Sequence, residues 1–209
     1  MTEQPVPLTR RRSSPLPPDE RRAALVAATS PLIRMHGLNV PTRLIAEAAG
    51  VAEGTIFRVF PDKNALLRAA LAEIFDPAPT IRALRDIPPS CSLQVRLATA
   101  ATIVAHRMAA NAPVIAAMRS PEAHAVLAGD PFMGDPRAAL HTIVETIADM
   151  IRPDADKLRR SPITTAQLLI SMVILTSRGM VGPDHLTGGE LADLLLNGLI
   201  QRSTGDDQC

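Results

Sequence analysis

The sequence predicts an all-α fold of about nine helices, in which a small N-terminal domain precedes a larger helical body. Aromatic residues make up only 2% of the 209 residues, and Tyr and Trp are absent, so residues that favour strands are scarce. Apolar residues recur at helical spacing over long stretches. Hydrophobic residues at 46% and charged residues at 21% are typical of a compact globular chain.

The N-terminal arm, residues 1–18, contains five prolines and the run Arg10–Arg12 but no apolar period, and is expected to be disordered. A first helix is expected over Arg21–Met35, ended by Gly37. Pro31 is expected to bend it. Its core-facing residues should be those that recur at helical spacing: Leu25, Ala28, Leu32 and Met35.

Three further helices complete a predicted N-terminal domain over residues 19–75. Thr42 is expected to cap a helix over Arg43–Ala49 that ends at Gly50. A second short helix is expected over Glu53–Phe60, before Pro61. Asp62 is expected to cap a third helix over Lys63–Phe75.

The predicted body covers residues 76–209, and four prolines break up its first segment, 76–90, where we place the domain boundary. Helices are expected from the apolar periods that follow, around residues 93–108, 113–127, 140–151, 164–179 and 189–201. Apolar residues cover most of the circumference of the helix around 164–179, and leucines form a stripe on the helix around 189–201, as expected for helices that pack against a second copy of the chain.

Composition excludes several classes of protein. The two cysteines, Cys91 and Cys209, belong to no metal-binding pattern, so neither a disulfide, a metal nor a cofactor is expected. The longest uncharged stretch, residues 161–177, falls short of the roughly 20 apolar residues of a membrane span. No apolar run follows the N-terminal positive charges, so no secretory signal is expected and a cytoplasmic, nucleoid-associated location is the default.

The charge is uneven along the chain. Residues 1–75 carry 10 basic and seven acidic side chains, whereas residues 76–209 carry 12 basic and 14 acidic ones. An excess of positive charge at the N-terminus favours a polyanionic partner. The arginines of the arm could enter a DNA minor groove, or could form only a solvated cationic tail.

Residues 41–60 have the spacing of a helix-turn-helix. Such a motif needs a small residue where its helices cross, a residue that tolerates positive φ in the turn, and apolar side chains that hold the second helix. Ala46, Gly50, and the pair Val51 and Ile56 meet these needs. The second helix then presents Glu53, Gly54, Thr55, Phe57 and Arg58 outward, towards a DNA major groove.

The segment from Thr42 to Lys63 closely resembles the signature of the TetR family of transcriptional repressors, and the resemblance extends over about residues 20–70. It implies a homodimer that binds a palindromic operator in double-stranded DNA and pairs through its last two helices. It also implies a body that binds a small effector. By this resemblance the DNA contacts come from Thr42, Arg43, Thr55, Phe57 and Lys63.

This chain departs from the family pattern at the recognition surface. The family usually has Tyr at the position of Phe57, and Phe has no hydroxyl to give a phosphate. Glu53 and Val59 also replace more usual residues. These differences affect the target sequence rather than the mode of docking.

Candidate effector contacts are soft apolar or polar side chains of the body. They are His106, Met108, Met118, Phe132, Met133, His141 and Met172, with Arg107 as a further polar group. Methionines at helical spacing are more often core residues than ligand contacts. Cys91 has no basic neighbour before Arg96, which argues against a redox sensor.

Three alternatives remain beside this interpretation. The helix-turn-helix could serve only as a packing motif. The chain could be a helical enzyme using Asp130, Asp135, His141 and Glu145, but their spacing fits no ligand pattern, and His141 with Glu145 is equally a surface pair. We therefore expect no catalytic residues. Finally, the chain could regulate constitutively or through a protein partner, without responding to a small molecule.

Overall fold

The computed structural model describes residues 17–127, 136–177 and 186–198, and within these ranges it contains only helices. The all-α prediction is confirmed. Two 3-10 turns occur at Gly37–Asn39 and Arg152–Lys157. The α-helices are α1 Pro18–His36, α2 Thr42–Ala48, α3 Glu53–Val59, α4 Lys63–Phe75, α5 Ala78–Arg85, α6 Leu93–Ala117, α7 Pro121–Leu127, α8 Pro136–Ile151, α9 Pro162–Ser177 and α10 Gly188–Asn197.

Helix α1 ends where the sequence predicts but buries a different face. Gly37 adopts φ +66° and its N–H donates to the carbonyl of Ile33. The buried residues are Leu25, Val26, Thr29, Ser30 and Ile33, whereas Met35 is 67% exposed. Counting apolar residues missed this face because two of its members are polar. Their hydroxyls donate to carbonyls one turn earlier, Thr29 to Leu25 at 2.7 Å and Ser30 to Val26 at 3.1 Å.

A first hydrophobic cluster joins α1 to α4 and reaches into the body. It contains Ile45, Ile56, Phe60 and the buried face of α4, all nearly inaccessible to solvent. Val114 of α6 and Ala123 and Val126 of α7 belong to the same cluster. The N-terminal helices are therefore packed directly onto α6 and α7, and the boundary between residues 75 and 76 stays a prediction.

Two prolines that were expected to break the chain instead begin a helix. Pro77 and Pro79 lie at the start of α5, where a missing N–H leaves no hydrogen bond unmade. The region 76–90 therefore contains a helix that the sequence did not predict. Helix α6 likewise continues through Pro113 to Ala117, so the expected break between residues 108 and 113 is wrong.

A second hydrophobic cluster forms the core of the body, from α5, α6, α8, α9 and α10. Its edge holds the buried Arg96, whose guanidinium donates to the carbonyls of Cys91 and Met150 and forms an ion pair with Asp154. Lys157 pairs with the same carboxylate at 2.7 Å. These bonds hold the start of α6 against the end of α8.

Helix α10 lies very close to α6. A Cβ atom on Gly188 would overlap the Thr102 hydroxyl and the carbonyl of Ala98, so only glycine fits at this contact. The first turn of α10 is fixed by a capping box, in which Thr187 and Glu190 each bond the other's backbone N–H. The packing of α10 on α6 therefore begins at its first residue.

No helix in the part of the chain that the structure describes is both long enough and apolar enough to cross a membrane. Within the same part, no three His, Cys, Asp or Glu side chains are grouped as metal ligands would be. Cys91 is a free thiol, while Cys209 lies outside the described residues.

Candidate nucleic-acid interface

The turn between α2 and α3 has the geometry that the sequence predicts. Gly50 adopts φ +65°, and the N–H of Val51 donates to the carbonyl of Ala46 at 2.9 Å. This is a Schellman motif, which ends a helix through one left-handed residue. Ile45, Ala46 and Ile56 are buried between the two helices. The packed helix-turn-helix is therefore present.

One face of α3 points away from the protein. Glu53, Gly54, Phe57 and Arg58 are exposed, and Thr55 is half-buried. Phe57 is 51% exposed, which is unusual for a residue with so large an apolar ring. Of the five residues predicted to point outward, four are exposed and Thr55 is only half-exposed; the helical period separates the exposed residues from Ile56 and Phe60, which are buried.

Thr42 does not cap α2. Pro41 occupies the cap position, and Thr42 is the first helical residue. The Thr42 hydroxyl donates instead to Oε1 of Glu53, so it connects the start of α2 to the start of α3. The expected capping role was wrong because the helix begins one residue earlier than the sequence pattern suggested.

The start of α4 agrees with the sequence. Oδ1 of Asp62 accepts from the N–H of Ala65 at 2.7 Å and caps the helix. Lys63 is half-buried at the first helical position, beside the end of α3, and Arg43 is exposed on α2. Arg43 and Lys63 thus lie on the helices that precede and follow α3 in the chain.

A contact between α1 and the end of α3 was not predicted. The guanidinium of Arg22 lies 4.3 Å from the centre of the Phe60 ring, within the range of a cation–π interaction. Residues 17–75 carry seven basic and six acidic side chains, so most of the N-terminal positive excess comes from residues 1–16, which lie outside the described residues.

Helix α4 is bound to the body by polar contacts at both ends. Near its start, Asn64 donates to the carbonyl of Ala125 at 3.2 Å and Arg68 to that of Val126 at 3.0 Å, both in α7. Near its end, Arg107 and Asn111 of α6 donate to the carbonyl of Ile74. Two helices of the body therefore hold α4.

Arg107 was expected as a polar group of an effector pocket, and the structure gives it another role. Its guanidinium donates to the carbonyls of Ile74 and Asp76, at the C-terminal end of α4. Burial lowers the pKa of Arg107, and the nearby Asp76 carboxylate opposes this effect. The side chain stays a cation and acts as a C-terminal cap for α4.

The effector candidates are dispersed over the body. Met108 and Met172 pack against the second hydrophobic cluster, and Met118 is half-buried at the end of α6. His141 is exposed, with its Nδ1 3.4 Å from the Glu145 carboxylate, as in the surface pair considered above. Phe132 and Met133 lie outside the described residues.

Among the clefts on the surface of the described body, one of about 540 Å³ lies between α8 and the start of α9, and none of the described effector candidates lines it. Another of about 430 Å³ is lined by α6, the end of α9 and the start of α10, and includes His106, Thr102 and Thr176. A further cleft of about 330 Å³ lies between α5 and α8 and includes Arg85 and Met150. Of the described effector candidates, His106 alone lines any of these clefts.

Comparison with known proteins gives a family match for the N-terminal part of the chain. Residues 25–70 match the model of "Bacterial regulatory proteins, tetR family". These residues include α2, α3 and the turn between them. Among curated protein sequences, none matches the chain.

Solved structures of similar fold cover most of both chains. A transcriptional regulator of the TetR/AcrR family from Thermobifida fusca is 20% identical, with a TM-score of 0.60, and covers 87% of this chain and 100% of its own. A TetR-family transcriptional regulator from Streptomyces coelicolor is 21% identical, with a TM-score of 0.55 and coverages of 85% and 78%.

A third similar structure is AibR, solved in complex with isovaleryl coenzyme A and operator DNA. It is 18% identical, with a TM-score of 0.50 and coverages of 84% and 94%. At these identities the similarity to solved structures concerns the fold. The family match concerns residues 25–70, so it is the N-terminal helix-turn-helix domain of this chain that is similar to the tetR family of bacterial regulatory proteins.

Proposed function

We propose that this chain is a homodimeric transcriptional repressor that binds a palindromic operator and is released by a small, largely apolar effector. Its location would be the cytoplasm, on the nucleoid. The proposal combines three parts, namely DNA binding by α3, dimerisation through α9 and α10, and effector binding in the body. DNA binding has the most direct support, and one residue carries it.

That residue is Gly54, on the exposed face of α3. It is helical, and a Cβ atom at this position would have no neighbour within 4 Å. Glycine in the middle of a helix costs roughly 0.5–1 kcal/mol relative to alanine, and in the first turn, where Gly54 lies, it costs less. No contact within the described chain requires glycine at this position. A partner surface that approaches α3 closely here, such as the edge of a base pair, would require it.

The neighbouring side chains suit a major groove. Thr55 and Arg58 supply hydrogen-bond donors, and the exposed Phe57 ring offers an apolar surface of the kind that packs on a thymine methyl group. Arg43 on α2 and Lys63 at the start of α4 carry positive charge on the helices before and after α3, and would contact phosphates beside the groove. At this position Phe57 would make an apolar contact, where the tyrosine usual in the family would donate a hydrogen bond.

Dimerisation is supported by the exposed face of α9. Leu168 is 47% exposed and Leu175 is 48% exposed, and the two lie seven residues apart on the same side of the helix. Ile163, the second residue of α9, is also exposed but lies on another side of the helix. An apolar stripe of this kind on one helix is best covered by a second copy of the chain.

Effector release is the part that depends most on comparison. AibR was solved with both isovaleryl coenzyme A and operator DNA. In this chain the polar contacts of α4 with α6 and α7 provide a physical connection between body and N-terminal helices. An effector that prefers one arrangement of the body would thereby shift the separation of the two α3 helices from the spacing of about 34 Å that successive major grooves require.

DNA binding is tested by Gly54→Ala. The added methyl group meets no atom of the described chain, so we expect α3 to be stabilised by up to about 0.5 kcal/mol and the melting temperature to rise slightly. The same methyl group lies on the DNA side, so affinity for duplexes selected from a random library should fall at least about tenfold. Thermal denaturation and fluorescence anisotropy measure the two effects.

Thr99→Ala is the matched control. Thr99 is exposed on α6, far along the chain from α3, and alanine also raises helix propensity there. This variant should be stabilised without any loss of DNA affinity. If Gly54→Ala bound selected duplexes as tightly as the unmodified chain, α3 would not be the recognition helix.

Effector response is tested with the selected duplex and isovaleryl coenzyme A as the first probe, followed by fatty acids of increasing length. Stabilisation of the protein together with release of DNA supports a ligand-released repressor. DNA binding that none of these compounds changes favours the alternative, a regulator that acts constitutively or through a protein partner.

A further inference from the structure

The first residue of α3 carries a negative charge at the surface that the proposed function turns towards DNA. Glu53 is exposed, and its Oε1 accepts a hydrogen bond from the Thr42 hydroxyl. The side chain is therefore held by a residue of α2. Its second oxygen, Oε2, has no partner among the described residues and is available to a donor from outside the protein.

A carboxylate in a DNA groove is repelled by phosphates, so it favours binding only where it meets a hydrogen-bond donor. In the major groove the donors are the exocyclic amino groups of cytosine and adenine. Adenine presents its amino group beside the N7 acceptor, which repels a second carboxylate oxygen. Cytosine presents its N4 amino group without an adjacent acceptor on the same base. Cytosine is thus the base from which a carboxylate best accepts a hydrogen bond in the major groove.

We propose that Glu53 reads one cytosine in each half-site of the operator, and that Thr42 is the positioning residue that aims it. This inference rests on the proposed function and assigns a specific base to one of its contacts. Glu53 would then determine specificity, while the flanking cations supply most of the affinity.

The hydrogen bond also changes what Thr42 contributes. A threonine hydroxyl has one hydrogen to donate, and here it goes to Glu53. A phosphate oxygen has no hydrogen to give in return. While this bond persists, the Thr42 side chain cannot donate to the DNA backbone, and its effect on binding passes through Glu53.

The experiment selects duplexes from a random library with the unmodified full-length chain, and then measures affinity for the preferred duplex and for duplexes altered at one position. We expect one cytosine per half-site whose replacement lowers affinity about tenfold. Glu53→Ala should lose this preference while other positions stay selective. Glu53→Gln should change the preference to adenine, because an amide both donates and accepts.

Thr42 is tested in the same assay. Thr42→Val keeps the shape but removes the donor, so the preference for cytosine should weaken; Thr42→Ser keeps the donor and should retain it. Glu73→Gln is the control, since it removes the same charge from an exposed position of α4 outside the helix-turn-helix. It should leave the selected sequence unchanged.

The outcomes separate the two proposals. If the unmodified chain selects no sequence at all, the proposed function fails and this inference fails with it. If it selects a palindrome but Glu53→Ala and Glu53→Gln select the same one, DNA binding stands and the cytosine contact is wrong. Equal tightening of all duplexes by Glu53→Gln, with no change in preference, would also overturn it, because Glu53 would then act by charge alone.

Discussion

At the scale of single residues, Asp154 has two cationic partners, the buried Arg96 and the exposed Lys157. Hydrogen bonds from Lys157 and then from Arg96 lower the pKa of Asp154, although its partial burial acts in the opposite direction. A carboxylate with a lowered pKa stabilises the folded protein above the unfolded pKa of about 4, and this stabilisation is lost as the pH falls towards the folded value.

We therefore expect Asp154→Asn to reduce the free energy of unfolding at neutral pH and to matter progressively less below about pH 4. Urea denaturation of both proteins at several pH values measures this difference. Asp149→Asn is the control, because Asp149 pairs with Arg152 at a position where both side chains are largely exposed. A difference for Asp154→Asn that persisted unchanged into strong acid would contradict the ion pair.

The residues that the sequence predicted correctly act locally. Gly50 ends α2, and Asp62 caps α4 through a neighbour only three residues away. The contacts that the sequence did not predict join residues that are distant along the chain. Thr42 and Glu53 are 11 residues apart, and Arg107 reaches a carbonyl 31 residues away. Polarity and helical period place such side chains on a surface, but they do not identify the partner.

At the scale of helices, α4 depends on Arg107 for hydrogen bonds at its C-terminal end. We expect Arg107→Met, which keeps the apolar stem, to destabilise the fold by about 1 kcal/mol and to expose the last turn of α4 to exchange. Hydrogen exchange of the backbone amides in α4 measures this locally. If those amides remained as protected as before, the contact would not hold α4.

Arg82→Met is the matched control for that experiment. Arg82 is exposed on α5, so the same substitution there should change neither stability nor exchange in α4. DNA affinity adds a second measurement. A loosened α4 should weaken operator binding even though Arg107 lies on α6, away from α3.

Helix boundaries were harder to predict than helix existence. Pro77 and Pro79 suggest a break in the chain, yet proline at the start of a helix removes no hydrogen bond, so α5 begins at these residues. Pro113 lies inside α6, where burial of Val114 and the bond from Asn111 to Ile74 hold the helix on both sides of it. Tertiary packing decided both cases, and proline position alone could not reveal it.

At the scale of the whole molecule, the exposed leucines of α9 predict a dimer that charge would disrupt. We expect the double variant Leu168→Glu and Leu175→Glu to be monomeric by analytical ultracentrifugation, because two carboxylates on each copy would be buried against apolar surface. Met35→Glu, which places the same charge on an exposed apolar residue of α1, should remain dimeric. A dimeric double variant would exclude α9 from the interface.

The close packing of α10 on α6 affects how tightly two copies of the chain could associate. Gly188 brings this helix onto α6, and the capping box of Thr187 and Glu190 orders its first turn before any partner arrives. Association is weakened by the entropy lost when side chains and segments become ordered. A helix that is already ordered in the monomer loses less conformational entropy on association. Helix α10 would therefore favour a long-lived dimer without contributing a larger contact area.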